Sequence, residues 1–219
     1  MKYYSYFLFD ADGTLIDTMD MIVRCFENTF AKFGKKAISK KDIMKNVGLP
    51  LRTQLEEYLG SLSDERFTEM AEVHMAYQLK IYPSYLKIFP GVAEGLAKLK
   101  SAGKQCAIVT SRRRDTLDLY LKETGIYDYF DAFVTPETTL KHKPDPEPAL
   151  AALSALAAEK SEALLIGDST FDIECAFRAG VDSAFVKWSS NDPAELAVQP
   201  TFFIDNVSQL DTLERKTVA

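Results

Sequence analysis

Cysteine is scarce in this sequence. The 219 residues include three, Cys25, Cys106 and Cys175, which lie far apart without a CxxC pair or a neighbouring pair of histidines. An odd, scattered set predicts neither a disulfide framework nor a zinc site. Such cysteines are typical small core residues of proteins in a reducing compartment. We therefore expect a cytoplasmic protein.

A long apolar run is also missing. No stretch approaches the roughly 20 apolar residues that span a bilayer, and the N-terminal segment MKYYSYFLFDADG lacks the apolar stretch and cleavage site of a signal peptide. These absences predict a protein without a membrane partner. Hydrophobic residues still make up 47% of the chain, which is enough to fill one domain with an insertion, or two small domains.

The sequence has no surplus of basic residues. Its 26 Lys and Arg against 32 Asp and Glu give a net charge of −6, whereas binding to a nucleic-acid backbone depends on excess positive charge. No nucleic-acid partner is therefore expected. Residues 17–83 contain 10 basic and 10 acidic side chains, so the negative charge lies in the rest of the chain. Carboxylates concentrated at one site would need a cation.

The first part of the chain predicts one strand and then helices. The apolar run from Tyr4 to Phe9 stops at an Asp-Ala-Asp-Gly turn, as a buried strand does. Apolar residues then recur at helical spacing, with a capping box from Ser39 to Asp42 and a last helix closed by Pro83. Four consecutive helices without an intervening strand predict a small helical bundle.

From Phe89 onward, helices and strands alternate. This order is typical of a parallel sheet with helices on both faces. The first strand needs such a sheet to pair with, so residues 1–16 and 84–219 are predicted to form one α/β core, with residues 17–83 as an insertion. The predicted helices are 92–101, 114–123, 146–158 and 171–179, and the predicted strands are 105–110, 132–134, 163–166, 183–186 and 202–204.

Four polar motifs are predicted to lie at the edge of this sheet where ligands of open parallel sheets bind, beyond the carboxyl ends of the strands. Taken singly, each motif also fits a purely structural role: a turn, a helix cap, an exposed loop lysine and a first-turn carboxylate. Their combination in this order favours one shared site. The motifs are Asp10-Ala-Asp12-Gly-Thr14, Thr110-Ser111, Lys143-Pro144-Asp145 and Gly167-Asp168-Ser-Thr-Phe-Asp172.

These residue types match the requirements of phosphoryl transfer. The reaction needs a nucleophile, a proton donor for the leaving oxygen, a cation and donors for the phosphoryl oxygens. Asp10 and Asp12 project to the same side of an extended chain, and a carboxylate is a competent nucleophile toward phosphorus. Several carboxylates would repel an anionic phosphate, which predicts Mg²⁺ with oxygen ligands. Lys143 would add positive charge, and Thr110 a hydroxyl.

Together, the segments DADGTLIDT, IVTS, HKPDP and LLIGDSTFDI resemble the motifs of the haloacid dehalogenase-like hydrolases, in the branch with a helical cap inserted after the first motif. The resemblance covers essentially the whole chain. It implies a Rossmann-like α/β core with a helical-bundle cap at residues 17–83. It also implies a phosphatase that forms an aspartyl-phosphate on Asp10, with Asp12 as the general acid and base.

The resemblance assigns the remaining positions of the site as well. Thr110 and Ser111 would bind the phosphoryl group, and Lys143 would neutralise its charge. Lys141 is the alternative lysine, but the proline that follows Lys143 favours the latter.

A metal site is implied by the same resemblance. Mg²⁺ would be held by the carboxylates of Asp10 and Asp168 and by the backbone carbonyl of Asp12. The carboxylate of Asp172 would support these ligands.

Single positions distinguish the branches of the family. Dehalogenases and phosphonate-cleaving relatives lack the second aspartate of the first motif, and Asp12 is present here. Sugar phosphomutases carry a histidine where this chain has Ile22. Hydrolysis of a small phosphorylated metabolite, as by phosphoglycolate phosphatases, is therefore favoured over a β-phosphoglucomutase-like reaction, with inorganic pyrophosphatase as a further alternative. A non-catalytic binding protein ranks last, because every motif position is filled.

Other polar residues have two interpretations. Arg52 could bind a second anionic group of the substrate or face solvent. Arg112, Arg113 and Arg114 could steer anions toward the site, but a solvated helix start is favoured. His74 falls on the apolar stripe of a helix and is expected to pack rather than to catalyse.

Overall fold

The structure of the protein, a computed structural model, describes residues 3–214. The outer limits of the predicted core, residues 1 and 219, lie outside the described residues. The helices are α1 (Met19–Lys32), α2 (Lys40–Lys45), α3 (Leu51–Leu59), α4 (Asp64–Tyr85), α5 (Val92–Ser101), α6 (Arg114–Glu123), α7 (Glu147–Ala155) and α8 (Thr170–Ala179). The strands are β1 (Tyr6–Phe9), β2 (Gln105–Val109), β3 (Ala132–Val134), β4 (Ala163–Gly167), β5 (Asp182–Val186) and β6 (Phe202–Ile204). Short 3₁₀ helices lie at Tyr127–Tyr129, Lys160–Glu162, Pro193–Glu195 and Val207–Thr212.

The six strands form one parallel sheet in the order β3-β2-β1-β4-β5-β6. The first strand of the chain therefore lies inside the sheet, between β2 and β4. Phe9 pairs with Ile108 on one side and with Ile166 on the other, so the three central strands end at nearly the same level. The predicted α/β, Rossmann-like fold class is confirmed, and the ends of these strands share one edge.

Both faces of the sheet are covered, as expected of a parallel sheet. Side chains alternate along β1, so Phe7 and Phe9 enter one hydrophobic core and Leu8 enters the other. All three are completely buried. The central strands are thus held from both sides, which fixes the residues that follow them.

After β1 the chain forms the four consecutive helices expected from the sequence, α1 to α4, here called the cap helices, before α5 leads into β2. They share their own hydrophobic core, in which Phe26 and Phe30 each meet the ring of Tyr58 edge to face. The limits at residues 17 and 83 stay a prediction. The expectation that Pro83 closes the last helix is wrong, because α4 continues to Tyr85. A proline this close to the end removes one backbone donor without preventing the final residues from staying helical.

Several other ends differ by one to three residues. The helix predicted at 146–158 ends at Ala155, before Ala157 adopts a positive φ of 50°. Within residues 3–214, no helix is both long enough and apolar enough to cross a membrane.

We predict that Gly95→Ala destabilises the protein. Within a helix, alanine normally gains about 1 kcal/mol over glycine. A Cβ on Gly95, however, would lie 2.6 Å from Val207 Cγ1 and 2.8 Å from the Val207 carbonyl carbon. Overpacking of this kind costs about 1–3 kcal/mol. The free energy of unfolding, measured by denaturant titration, is therefore expected to fall.

Ala97→Gly is the matched control, because Ala97 is exposed on the same helix. It reports helix propensity alone and should lose about 1 kcal/mol. A Gly95→Ala variant that is more stable than the unmodified protein would contradict the packing described for α5.

Candidate active site

Four charged side chains meet at the carboxyl edge of the sheet. Asp10 follows β1, Asp168 follows β4, Asp172 lies in the first turn of α8, and Lys143 lies in the loop between β3 and α7. All four are less than 5% exposed. Charged groups are this deeply buried only when they are paired or bind an ion.

Lys143 is the cation of this cluster. Its Nζ lies 2.6 Å from Asp10 Oδ1, 2.6 Å from Asp172 Oδ1 and 3.1 Å from the Val109 carbonyl oxygen. Burial lowers the pKa of Lys143, but the negative charges of Asp10 and Asp172 outweigh it and raise the pKa overall. Lys141, the alternative lysine, is exposed and pairs with Asp145 at 3.2 Å.

The start of α8 orients Asp172. Its Oδ2 accepts a hydrogen bond from the Ser169 backbone N–H at 3.1 Å and another from the Ser169 hydroxyl at 2.6 Å. Ser169 and Asp172 thus form a capping box. The structural role of Asp172 as a first-turn carboxylate is also present, because one of its oxygens caps the helix while the other binds Lys143.

Asp168 is held by neutral donors. Its Oδ1 accepts from the Thr14 hydroxyl at 3.2 Å, and its Oδ2 accepts from Asn191 Nδ2 at 3.2 Å and from the Ser189 hydroxyl at 3.3 Å. Gly13 makes this approach feasible, since a Cβ there would lie 2.4 Å from Asp168 Oδ2. Gly13 also has a φ of 84°, a region that favours glycine.

Three carboxylates are close enough to share a cation. Asp10, Asp168 and Asp172 each offer an oxygen, and these oxygens lie within 4.8 Å of one another. Lys143 balances one of their three charges. Burial first, and then the charges of Asp172 and Asp12, raise the pKa of Asp10 to about 7 against the opposing effect of Lys143. Burial and the two neighbouring carboxylates likewise raise the pKa of Asp168. This oxygen-rich and over-acidic group fits a hard divalent cation.

Asp12 lies outside that cluster. Its carboxylate receives two hydrogen bonds from Arg112, from Nε to Oδ2 at 2.8 Å and from Nη2 to Oδ1 at 2.6 Å, and a third from the Thr18 hydroxyl. The sequence predicts that Asp12 contacts the metal ion through its backbone carbonyl. Its carboxylate is therefore not required as a metal ligand.

The expectation that Arg112 is solvated is wrong. Its side chain is 7% exposed, and the guanidinium stacks on the ring of Tyr120 with 4.6 Å to the ring centroid. Because α6 begins at Arg114, Arg112 belongs to the preceding loop and turns back toward the sheet edge. The sequence contains one indication of this position. Arg112 follows Thr110 by two residues, and residues with this spacing project to the same side of an extended chain. Arg113 and Arg114 are at the surface, paired with Asp115 and Asp118.

Thr110 and Ser111 follow β2 at the same edge. The Thr110 hydroxyl accepts from the Arg112 backbone N–H at 3.1 Å, and Thr110 is buried. The Ser111 hydroxyl donates to the carbonyl oxygen of Gly48, in the loop before α3. Ser111 therefore ties the sheet edge to the cap helices.

A cavity of about 260 Å³ separates the sheet edge from the cap helices. Asp10, Asp12, Thr110, Ser111 and Arg112 line its floor. Such a volume suits a small metabolite rather than a polymer. The opposite wall includes Ile22, Phe26, Arg52, Phe67, His74, Met75 and Gln78.

Arg52 and His74 on that wall both contact other residues of the cap helices. The Arg52 guanidinium donates to Glu56 at 3.1 Å, to Asp64 at 2.7 Å and to the Leu62 carbonyl at 3.0 Å. These contacts engage three of the five N–H donors of the guanidinium, so two stay available to a substrate anion. His74 packs against Phe26, with 4.9 Å between ring centroids, and also borders the cavity.

The sequence profile of the family described as "Haloacid dehalogenase-like hydrolase" matches residues 7–186. The chain belongs to this family. A pyrophosphatase PpaX of Bacillus velezensis is 34% identical over 93% of each chain. A proposed pyrophosphatase PpaX of Clostridium perfringens is 38% identical, over 95% of this chain and 96% of its own. The crystal structure of a proposed haloacid dehalogenase-like hydrolase of Bacteroides fragilis has a TM-score of 0.86 at 29% identity, covering 94% of this chain and 99% of that one.

We predict that this hydrolase is stabilised by Mg²⁺ through Asp168. A ligand present at a hundredfold excess over its Kd stabilises by about 2.7 kcal/mol. Asp168→Asn removes one of three buried negative charges, so the metal-free variant should be more stable than the metal-free unmodified hydrolase, and Mg²⁺ should add little. Thermal unfolding with and without Mg²⁺ measures both effects.

Asp205→Asn is the control, because Asp205 is exposed and pairs with Lys187 at the surface. It should keep the full response to Mg²⁺. Equal stabilisation of Asp168→Asn and the unmodified hydrolase by Mg²⁺ would show that the ion binds elsewhere.

We further predict that Arg112→Gln destabilises the hydrolase by about 3 kcal/mol, because it leaves Asp12 without its buried partner. Arg113→Gln, on an exposed neighbour, should change the free energy of unfolding by less than about 0.5 kcal/mol. The double variant Arg112→Gln, Asp12→Asn should lose less than the sum of the single losses. Additive losses in denaturant unfolding would argue against the pairing.

Proposed function

We propose that the protein is a Mg²⁺-dependent phosphatase that hydrolyses a small phosphomonoester through an aspartyl-phosphate on Asp10. The geometry of Asp10 carries this proposal. Lys143 occupies Oδ1, while none of residues 3–214 donates a hydrogen bond to Oδ2, and Asp10 lines the cavity. An anchored carboxylate with one unengaged oxygen is suited to attack phosphorus.

The first step forms the Asp10–phosphorus bond and breaks the bond from phosphorus to the leaving oxygen. Asp12 supplies the proton that this oxygen takes up. In the second step Asp12 accepts a proton from the water that attacks phosphorus, which releases phosphate and restores Asp10. Asp12 must therefore exchange Arg112 for the reacting oxygen, since its carboxylate is engaged by Arg112 in the structure.

The other residues of the edge have binding roles in this proposal. The Thr110 hydroxyl and the Ser111 region would donate to the phosphoryl oxygens, and Lys143 would neutralise their charge. Asp168 and Asp10 would hold Mg²⁺ with the Asp12 carbonyl, and Asp172 would position Lys143. When bound, the ion offsets the negative charge of the carboxylates and of the phosphoryl group.

Two alternative reactions share this scaffold. Hydrolysis of pyrophosphate is favoured by the names of the relatives from Bacillus velezensis and Clostridium perfringens. In that reaction Arg112 and Arg52 would face the second phosphate of the substrate. A sugar phosphomutase is disfavoured because Ile22, which lines the cavity, has no group that exchanges protons. The cytoplasmic location and the absence of a nucleic-acid partner stay predictions from composition.

Asp10→Asn is expected to abolish hydrolysis of p-nitrophenyl phosphate, because an amide is a poor nucleophile. Thr138→Ala, a change in the turn after β3, should retain activity. Phosphate release is measured in the presence of Mg²⁺. Substantial turnover by Asp10→Asn would exclude the aspartyl-phosphate.

Asp12→Asn should lower turnover by about 10²–10⁴-fold, the usual contribution of general acid–base catalysis. The loss should be larger for an alkyl phosphate than for p-nitrophenyl phosphate, whose leaving group needs little protonation. An equal loss of kcat/KM, which reports the steps up to departure of the leaving group, would exclude Asp12 as the acid of the first step.

A further inference from the structure

Helix α4 presents two polar side chains to the cavity. His74 and Gln78 are one turn apart on the same helix face, and both line the cavity and are less than 7% exposed. Each has one hydrogen-bonding atom engaged by the protein and one that no residue of the described chain engages. Which atom is engaged decides what the cavity offers to a ligand.

The tautomer of His74 follows from its partner. The Thr29 hydroxyl donates its single proton to the Cys25 carbonyl oxygen at 2.7 Å. At the 3.3 Å contact with His74 Nδ1, Thr29 Oγ1 must therefore be the acceptor, so Nδ1 carries the proton. Burial, and then the positive charge of Arg112, lower the pKa of His74 to about 4, so the ring is neutral near pH 7. Nε2 is left as a hydrogen-bond acceptor.

The amide of Gln78 is oriented in the same way. The Tyr120 hydroxyl directs its proton to Met21 Sδ at 3.7 Å and accepts from Gln78 Nε2 at 2.8 Å. The Gln78 carbonyl oxygen is thereby the free end. Among residues 3–214, the fully enclosed polar side-chain atoms without a partner are Gln54 Oε1 and Thr135 Oγ1. Gln78 Oε1 and His74 Nε2 are not among these enclosed atoms, and both residues line the cavity.

We propose that the leaving group of the substrate is a neutral alcohol with additional hydroxyl groups. These hydroxyls donate hydrogen bonds to His74 Nε2 and Gln78 Oε1. This inference rests on the proposed phosphatase function and narrows its substrate class to phosphate monoesters of polyols. It identifies His74 and Gln78 as specificity residues.

The charges around this pair disfavour other groups. His74 Nε2 and Gln78 Oε1 both direct lone pairs at the ligand, so a carboxylate or a second phosphate placed against these two atoms would be repelled by both. An ammonium group would meet the positive charge of Arg112, which is close enough to shift the pKa of His74. Hydroxyl groups satisfy both acceptors without adding charge. The apolar side chains beside them, Phe26, Phe67 and Met75, can cover the C–H groups of the same carbon chain.

Glycerol 1-phosphate and propyl phosphate test this inference, because they differ by two hydroxyls. We expect kcat/KM of the protein with Mg²⁺ to favour glycerol 1-phosphate by at least about tenfold. The hydroxyls also change the acidity of the leaving group. The decisive quantity is therefore the ratio of kcat/KM for glycerol 1-phosphate to kcat/KM for propyl phosphate, compared between the unmodified protein and its variants. Gln78→Met, which keeps the side-chain length, and His74→Phe, which keeps the ring against Phe26, should each bring this ratio several-fold closer to one.

Gln54→Met is the matched control. The Gln54 side chain also borders the cavity, but its Oε1 is enclosed, so the substrate ratio should stay unchanged. Hydrolysis of p-nitrophenyl phosphate, which offers no hydroxyl, shows in each case that the variant is folded and active.

The outcomes separate this inference from the proposed function. Substrate ratios that do not change in Gln78→Met and His74→Phe would overturn the inference, as would a higher kcat/KM for pyrophosphate than for glycerol 1-phosphate. In either case Mg²⁺-dependent hydrolysis of p-nitrophenyl phosphate would leave the phosphatase assignment intact. If the protein hydrolyses none of these compounds, both the inference and the phosphatase assignment are overturned.

Discussion

The ammonium group of Lys143 lies between two buried carboxylates, 2.6 Å from Asp10 and 2.6 Å from Asp172. It joins three segments that are far apart in the sequence: the end of β1, the loop before α7 and the start of α8. Removal of one partner from a buried pair leaves an uncompensated charge, which is strongly destabilising. The positions of Asp10, the proposed nucleophile, and of the acidic cluster therefore depend on this cation, and the remaining negative charge suits a bound metal ion.

The two sides of the cavity have different chemistry. The floor is charged, with Asp12 paired to Arg112 beside the Asp10 cluster, and it suits the phosphoryl group. The wall formed by the cap helices is mostly apolar, with the neutral acceptors of His74 and Gln78. In our account the floor carries out the reaction and the wall selects the alcohol. Such a division lets one reaction serve different substrates, because the wall can change without disturbing the floor.

The fold was largely predictable because its signals are local. Strand periodicity, the helix stop signals and the Ser39 cap each depend on a few neighbouring residues. The meeting of the strand ends could also be anticipated, since parallel strands place their carboxyl ends at one edge. The exact helix ends were less predictable: Pro83 was expected to end α4, which continues to Tyr85 because a proline near a terminus costs a single hydrogen bond.

The contacts made by loops could not be derived from spacing. Arg112 was expected at the surface like Arg113, and the loop conformation before α6 decides between the two. Likewise His74 was correctly placed on an apolar stripe, but its tautomer depends on Thr29, 45 residues earlier in the chain. Such contacts join distant segments, so they become visible only when the tertiary structure is known.

The proposed aspartyl-phosphate on Asp10 can be trapped chemically. The protein is quenched with acid while it hydrolyses p-nitrophenyl phosphate in the presence of Mg²⁺, and acyl phosphates are then reduced with borohydride. Peptide mass spectrometry locates the reduced carboxyl group. If Asp10 attacks phosphorus, Asp10 is reduced, and its reduction depends on substrate. Reduction of a different carboxylate, or an unmodified Asp10 in protein quenched during turnover with a detectable acyl phosphate, would contradict this proposal.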